Sequence, residues 1–431
     1  MKKITLGLVG FGTVGSGVVK FLQDRRSFIR DRFGIDFFLK SICDRSIDKK
    51  INKTIEKCSL TTQWEELVKD PMIDVIVELI GGVNPAKEIV VNALRKKKHV
   101  VTANKELIAS LGQKLFEEAH QNGRNIYYES SVMAGVPIIR TLTEGIVGNR
   151  VKGLYGIING TCNYILTEMT DKGYSFEHAL ADAKNYGYAE SDPTLDINGM
   201  DATYKLAILV NLAMGKFISV KDIHTEGIAH IAHDDIEHAE SLGLNIKLLA
   251  IAKQHGQEIE ARVHPTLIPK DHPLAIIDGV DNAIFVETDP LGDIFLAGQG
   301  AGKMSAASGV ISDLLNIAVN EGSDARSNLA NLAHDTADLR MRMIDDIMTK
   351  FYIRIMAIDK PGVLSQITGI LGQHEIGINS FTQKAHNRAS TVPVIMLTEP
   401  APEKKVRLAL EQLHKLPVVK SKPVAIRMEN P

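Results

Sequence analysis

The chain has 431 residues, 44% of them hydrophobic, with 50 basic and 52 acidic side chains and a formal charge of −2. That length carries two or three domains, each with its own core. The near-balance of charge gives no electrostatic footprint for nucleic acid or an anionic membrane surface. Three cysteines, Cys43, Cys58 and Cys162, form no CxxC pair and no metal-ligand spacing. No apolar run reaches the ~18 residues of a membrane span, and the N-terminus runs straight into a strand rather than a leader. A reduced, cytoplasmic protein without a membrane partner is expected.

"KKITLGLVGFGTVGSGVVKFLQ" (2–23) reads as strand, glycine turn and helix. Further strands are predicted at 38–46, 74–82, 99–105 and 125–132, alternating with helices, which implies an α/β fold with a parallel, doubly wound, Rossmann-type sheet over residues 1–133. "RKKKH" (95–99) is the one dense basic run and reads as the solvated end of a helix. Residues 134–302 mix long helices, at 177–186, 200–214 and 233–241, with the strands "EIEARVHPTLI" (258–268) and "NAIFVETD" (282–289). That is an inserted α+β domain. "GAGKMSAASGVISDLLNIA" (300–318) turns helical and returns to the first domain, which about 303–345 complete, and the polar stretch 321–349 reads as a linker. From 350 the order strand, helix, strand, strand, helix, strand is ferredoxin-like, βαββαβ, and is expected as a separate unit over 350–431.

Gly10, Gly12 and Gly15 stand in G-x-G-x-x-G spacing between the first strand and its helix. The first glycine makes the turn, the second admits a pyrophosphate and the third lets helix and strand approach. Phe11, Thr13 and Val14 complete the turn, with amides facing the phosphates. Asp44 ends the second strand, where an acid bonds a ribose 2′-hydroxyl; Arg45 beside it suits a 2′-phosphate. Arg45 lies 30 residues past Gly15, more than the ~20 usual for the acidic position, so the intervening helix is expected to be extended. NADP is slightly favoured over NAD.

"AESDPTLDINGMDATYKLAIL" (189–209) sets Asp201 and Lys205 four apart, on one face of an apolar helix. Hydride transfer to a carbonyl leaves an alkoxide, and a buried lysine is a good proton donor to it. Glu190, Asp192 and Asp196 precede it in a turn-rich segment suited to a small substrate carrying an ammonium group. The structural alternative is an i,i+4 ion pair behind a solvated acidic loop. Lys105, in "VTANKELIA" (101–109), sits just past the fourth strand, where open parallel sheets bind ligands.

These stretches, with "YESSVMAGVPIIRTL" (128–142), "GIINGTCNYILTEM" (156–169) and "GQGAGKMSAASGVISDL" (298–314), stand in the order of homoserine dehydrogenase, and nearly the whole chain resembles that family. The resemblance implies reversible reduction of L-aspartate 4-semialdehyde to L-homoserine by NAD(P)H, on the way to threonine, methionine and isoleucine. It implies that Lys205 is the general acid/base, that Lys105 is a second active-site lysine near the nicotinamide, and that Glu190, Asp201 and Asp196 bind substrate. Gly187, Glu190 and Gly302 match cofactor contacts. Glu129, Val132, Ala134 and Val136 match a sodium site made mainly of main-chain carbonyls. The middle domain is then catalytic and dimerising, and the protein a homodimer or homotetramer. The C-terminal unit resembles an ACT domain, for which threonine inhibition is the natural hypothesis and Asn379 a candidate contact. Cys162, Gln299, Met133 and Ala134 depart from residues common in the family. A rival chemistry, Cys162 as the nucleophile of a phosphorylating aldehyde dehydrogenase, calls for an activating base, and no histidine lies between His120 and His178. The other rival is an amino-acid sensor with an inert oxidoreductase half.

Overall fold

The computed structural model describes residues 1–47, 58–320, 338–383 and 391–431. Its first sheet has the order β3-β2-β1-β4-β5-β6, every pairing parallel, from β1 (Lys2–Val9), β2 (Ile35–Cys43), β3 (Ser59–Thr61), β4 (Val75–Glu78), β5 (His99–Thr102) and β6 (Ile126–Tyr127). β1 and β4 are apolar on both faces, as strands covered on both sides by helices must be. The strands stop earlier than the patterns suggest. β2 ends at Cys43 because the Asp44 carboxylate turns the chain, and β6 gives way to a 3-10 turn at Glu129–Ser131. The edge strand β3 was not anticipated from sequence.

The long spacing between Gly15 and Arg45 has a different cause from the one expected. Two helices, α1 (Thr13–Asp24) and α2 (Arg26–Phe33), stand where one extended helix was predicted, broken at Arg25. α3 (Trp64–Lys69), α4 (Ala86–Arg95) and α5 (Lys105–Gln121) complete the layers. The basic run after α4 is only partly solvated. Lys98 is buried, donating to the carbonyls of Asp70 and Ile73, both at 2.6 Å.

The second sheet is antiparallel through β12-β11-β7-β9-β10, formed by β7 (Arg150–Ile157), β8 (His224–Thr225, paired to β10), β9 (Leu244–His255), β10 (Glu258–Pro269), β11 (Asp281–Asp289) and β12 (Gly292–Gln299). α6 (Gly160–Lys172), α7 (Phe176–Asn185), α8 (Thr194–Ile197), α9 (Met200–Met214) and α10 (His233–Ser241) belong to the same region. α9 is bounded by left-handed glycines, Gly199 and Gly215, at φ +85 and +69. α11 (Lys303–Asn320) then returns to the first sheet. Its Ala307, Val310, Ile311 and Leu314 share a core with Val18 and Val19 of α1, and a Cβ on Gly17 would stand 2.5 Å from the Lys303 carbonyl oxygen.

The C-terminal unit comprises β14 (Met348–Ile358), α12 (Val363–Gln373), β15 (Ile378–Gln383), β16 (Thr391–Thr398), the short β17 (Ala401–Pro402), α13 (Glu403–His414) and β18 (Val424–Met428). Its order β18-β14-β16-β15 is the expected ferredoxin-like sheet around its own core; residues 384–390, where the ends of the second and third predicted strands of this unit fall, lie outside the described residues. It is not separate, however. β18 pairs in parallel with β10 at Thr266↔Arg427 and Leu267↔Met428, so the two sheets are continuous. Nor is all of 321–349 a linker. Residues 321–337 lie outside the described residues, but β13 (Arg340–Met341) adds to β10. Among the described residues no helix is long and apolar enough to cross a membrane.

Candidate active site

The strand order reverses between β1 and β4, and the loops at the carboxyl ends of these strands form the rim where open parallel sheets bind ligands. The glycine turn lies there. Gly10 has φ +103, and a Cβ on it would stand 2.6 Å from the Leu79 carbonyl oxygen; one on Gly15 would stand 2.1 Å from that of Gly10. Neither position admits a side chain. Around Gly12, at the N-cap of α1, no atom comes within 4 Å of such a Cβ, so space is open beside the helix N-terminus. α1 has no acidic residue in its first turn, which leaves Thr13, Val14 and their amides to an anion. A cavity of about 580 Å³ runs from Gly10 and Gly12 past Gly81 and Asn84 to Asp44, Arg45 and Ser46.

Asp44 is engaged inside this rim. One carboxylate oxygen accepts from the Phe11 amide at 2.8 Å, and the other from the Ser46 amide and hydroxyl at 2.8 and 2.9 Å. It thereby ties the end of β2 to the glycine turn, while Arg45 is exposed at the cavity edge.

Lys105 opens α5 directly after β5. Asn104 before it caps that helix, accepting from the Leu107 amide at 3.1 Å and donating to the Gly82 carbonyl at 2.6 Å. The Lys105 ammonium pairs with Asp201 Oδ1, and 41% of the lysine side chain stays exposed. Lys205, only 8% exposed, donates to Asp201 Oδ2 and to the Ile158 carbonyl, both at 2.7 Å. Asp201, 3% exposed, therefore carries an ammonium on each oxygen. Asn159 adds a third donor, its Nδ2 lying 2.8 Å from Asp201 Oδ2 and 2.8 Å from Asp196 Oδ1. The other end of Asn159 caps α6 through the Cys162 amide. Asp196 also accepts from Thr161 Oγ1 at 3.3 Å.

The two lysines are driven apart electrostatically. Burial pulls the Lys205 pKa down, Asp201 opposes this, and the charge of Lys105 adds to the lowering; the net shift is downward. Burial also disfavours charge on Lys105, but Asp201, Asp196 and Glu190 outweigh it and raise its pKa. Asp201 is buried, yet the two ammonium groups hold its carboxyl well below the usual range. Burial and the neighbouring Asp201 push Asp196 up. Such divergence between adjacent titratable groups is what acid/base chemistry needs.

The other expected positions fall in four places. Glu190 is exposed at the mouth of this cluster, after Gly187 at φ +75. Gly302, at φ +114, immediately precedes α11 and so lies against α1. Glu129, Val132, Ala134 and Val136 form a buried turn behind the sheet. There the Glu129 carboxylate accepts the amides of Ile139 and Arg140, at 2.9 and 3.1 Å, its own amide donates to Asp313, and Arg140 lies between the two carboxylates. Burial pushes Glu129 to about 7 and Asp313 to about 8. Among the described residues no three His, Cys, Asp or Glu side chains gather as a metal site. Asn379 is far away in the C-terminal unit, exposed and donating to Glu399 at 2.9 Å.

Cys162 is fully buried, donates its thiol to the Asp196 carbonyl at 3.1 Å, and is pushed well up by burial. That is a packed thiol, unlike an activated nucleophile. Met133 sits at φ +51, the left-handed region that favours glycine. Gln299 accepts from Gly135 through its carbonyl, and a Cβ on that glycine would stand 2.6 Å from the same oxygen. Asn159 and Asp313 were not singled out from the sequence. Asn159 carried a signal, an N-cap residue between strand and helix in "NGTCN".

Comparison with known proteins gives the family. A homoserine dehydrogenase family model matches residues 137–315, the model of that family's NAD-binding domain matches 10–129, and an ACT-domain model matches 351–418. Homoserine dehydrogenases of Neisseria gonorrhoeae and Synechocystis are 39% and 40% identical, over 100% and 99% of this chain and 99% of each of theirs. A homoserine dehydrogenase structure from Thiobacillus denitrificans has a TM-score of 0.94 at 40% identity, covering 100% of this chain and 99% of that one. A hyperthermophilic archaeal homoserine dehydrogenase in complex with NADPH covers 75% of this chain and 100% of its own, with TM-score 0.64 and 28% identity. With models of that family's NAD-binding and catalytic domains and an ACT-domain model matched in order along its length, and relatives at 39% and 40% identity over nearly all of it, the chain belongs to the homoserine dehydrogenase family.

Proposed function

We propose that the protein reversibly reduces L-aspartate 4-semialdehyde to L-homoserine, in the route to threonine, methionine and isoleucine, with Lys205 as general acid/base. The observation that carries this reading is the meeting of Lys105 and Lys205 on Asp201 beside the dinucleotide rim. The nicotinamide cofactor, when bound, supplies or accepts the hydride. The chain's own residues handle the proton and the substrate. Lys205, its ammonium made more acidic by burial, gives a proton to the carbonyl oxygen during reduction and takes it back in oxidation. Lys105 stays charged and attracts the developing negative charge. Asp201 has both oxygens occupied, which supports a positioning role in place of direct substrate binding. Asp196 and Glu190 are then the carboxylates for the substrate ammonium.

The reading extends to the finer features. Internal engagement of Asp44 and exposure of Arg45 support NADP over NAD. The domains divide as 1–133, completed by about 303–345, for cofactor, 134–302 for substrate and dimerisation, and 350–431 for regulation. The buried turn at 129–136 fits a sodium ion held by carbonyls of Glu129, Val132, Ala134 and Val136. Threonine is the proposed effector of the ACT unit, with Asn379 near its site. A homodimer or homotetramer agrees with sheet edges at β12 and β15, and a cytoplasmic setting with three unpaired cysteines. Steady-state oxidation of NADPH and NADH in parallel, with L-aspartate 4-semialdehyde and with or without millimolar threonine, tests the whole. Turnover with a preference for NADPH is expected; folded protein that turns over neither cofactor sinks the reading.

A further inference from the structure

Arg427, in the last strand, is 4% exposed and is held by two carboxylates at once. Its Nε and Nη2 donate to Glu403 at 2.7 and 2.6 Å, and its Nη1 and Nη2 to Glu226 at 2.9 and 2.8 Å. His224 Nε2 lies 3.2 Å from Nη2 and 2.8 Å from the same Glu226. Glu403 opens α13 of the C-terminal unit, whereas Glu226 follows β8 in the substrate-side domain. The guanidinium fork is thus a clasp between the two, of a kind that a lysine cannot reproduce.

The loop that Arg427 clasps is seated on the active-site segment. The Glu226 amide donates to Val263 at 2.7 Å, which fixes the loop to β10, and the Ile228 amide donates to the Ile197 carbonyl at 3.0 Å. Thr225 Oγ1 is 2.8 Å from Thr203 Oγ1. Packing leaves no slack. A Cβ on Gly227 would stand 2.0 Å from the Ile197 oxygen, and one on Gly199 would stand 3.2 Å from the Glu226 oxygen. Residues 197–203 follow Asp196 directly and run into the helix that carries Asp201 and Lys205.

We propose that Arg427 is a positioning residue for the reaction: through Glu226 and the 225–228 loop, it holds Asp196 and the start of α9 in register with the two lysines. This rests on the role proposed above for Asp196, Asp201 and Lys205. Without the guanidinium, Glu226 and Glu403 lose the group that bridges them, and their repulsion lifts the loop from Ile197. The C-terminal unit therefore reaches the substrate site by a continuous set of packed contacts.

The test uses the full-length protein with Arg427→Ala, Arg427→Lys, Glu226→Gln and the double variant Arg427→Ala/Glu226→Gln. For Arg427→Ala, KM for the semialdehyde is expected to rise tenfold or more, with NADPH Kd within twofold of wild type. Amide hydrogen exchange over 196–203 should accelerate at least tenfold relative to the first sheet. Arg427→Lys should recover part of both, and the double variant should lose less than the sum of its parts. Wild-type KM and exchange in folded Arg427→Ala and Glu226→Gln would overturn the proposal, as would exchange that quickens evenly over the whole chain. If Arg427→Ala does not fold, Arg427→Lys and Glu226→Gln decide it on the same two readouts. Should the wild type fail to turn over the semialdehyde, the proposed function falls, while exchange over 196–203 still decides whether Arg427 holds the segment.

Discussion

The ammonium groups of Lys105 and Lys205 come from two different helices, α5 and α9, and meet on the two oxygens of one carboxylate, Asp201. Lys205 reaches it from one helical turn away; Lys105 reaches it from the loop after β5. A buried ammonium, that of Lys205, and a half-exposed one, that of Lys105, are thereby held close together by one buried carboxylate. Each then has a distinct protonation tendency, and that asymmetry is the basis for assigning their work.

Replacing Lys205 with alanine removes the proposed proton donor and leaves the cofactor rim untouched. A fall in kcat of ~10²-fold or more is expected, with cofactor affinity unchanged by fluorescence titration. Wild-type turnover in that variant would remove Lys205 from the chemistry.

Asp201→Asn deletes the carboxylate that opposes the lowering of the Lys205 pKa. Reduction needs the protonated lysine, so activity is lost as pH rises through that pKa. With the carboxylate gone, the alkaline limb of the kcat profile should move to lower pH, and kcat at its maximum should fall about tenfold through loss of positioning. A limb that stays put, or moves up, contradicts the arrangement.

Asp313 and Glu129 make a separate prediction about stability. Burial raises them to about 8 and about 7, above their ordinary 3.8 and 4.5. Between those limits the folded state binds more protons than the unfolded one, so unfolding free energy falls as pH rises from about 4 to about 8. In Asp313→Asn one of these groups no longer titrates. Its Tm should drop less than that of wild type between pH 6 and pH 8.5, measured by calorimetry. Parallel Tm curves for the two proteins would show that the pair does not hold its protons.

Arg45→Ala tests the cofactor assignment. Arg45 is exposed at the cavity edge, where a 2′-phosphate is proposed to bind, while Asp44 is tied to Phe11 and Ser46. KM for NADPH is expected to rise by about tenfold or more, consistent with loss of a charge-assisted contact of ~1.5–3 kcal/mol, with KM for NADH within twofold. Equal effects on both cofactors would place Arg45 outside the adenosine subsite.

Much of this architecture is legible in local pattern. α9 and α10 occupy 200–214 and 233–241, the limits expected from the sequence, and for α9 the reason is visible in the glycines at both ends. The glycine turn, read from spacing alone, has the sterically closed positions at Gly10 and Gly15 that the spacing implies. β9 escaped notice because its central run, Ile246 to Ala252, is buried on both faces and therefore lacks the alternation that marks a strand. The Gly15–Arg45 interval was attributed to one long helix, since nothing in the local pattern marked the break at Arg25. Met133 is locally unfavourable in its left-handed conformation, and the packing around it decides the matter.

The sequence by itself determined the alternation of strand and helix, the phosphate turn and the i,i+4 pair of Asp201 and Lys205, because each depends on contacts within a few residues. Tertiary structure decided the rest. Lys105 and Asn159 reach Asp201 only after the cofactor sheet and the substrate-side elements have packed together. β18 joins β10, and Arg427 meets Glu226, only because the last strand of the C-terminal unit completes a sheet begun more than a hundred residues earlier. Interactions between segments so distant in sequence depend on how whole faces bury against one another, and no local period records that.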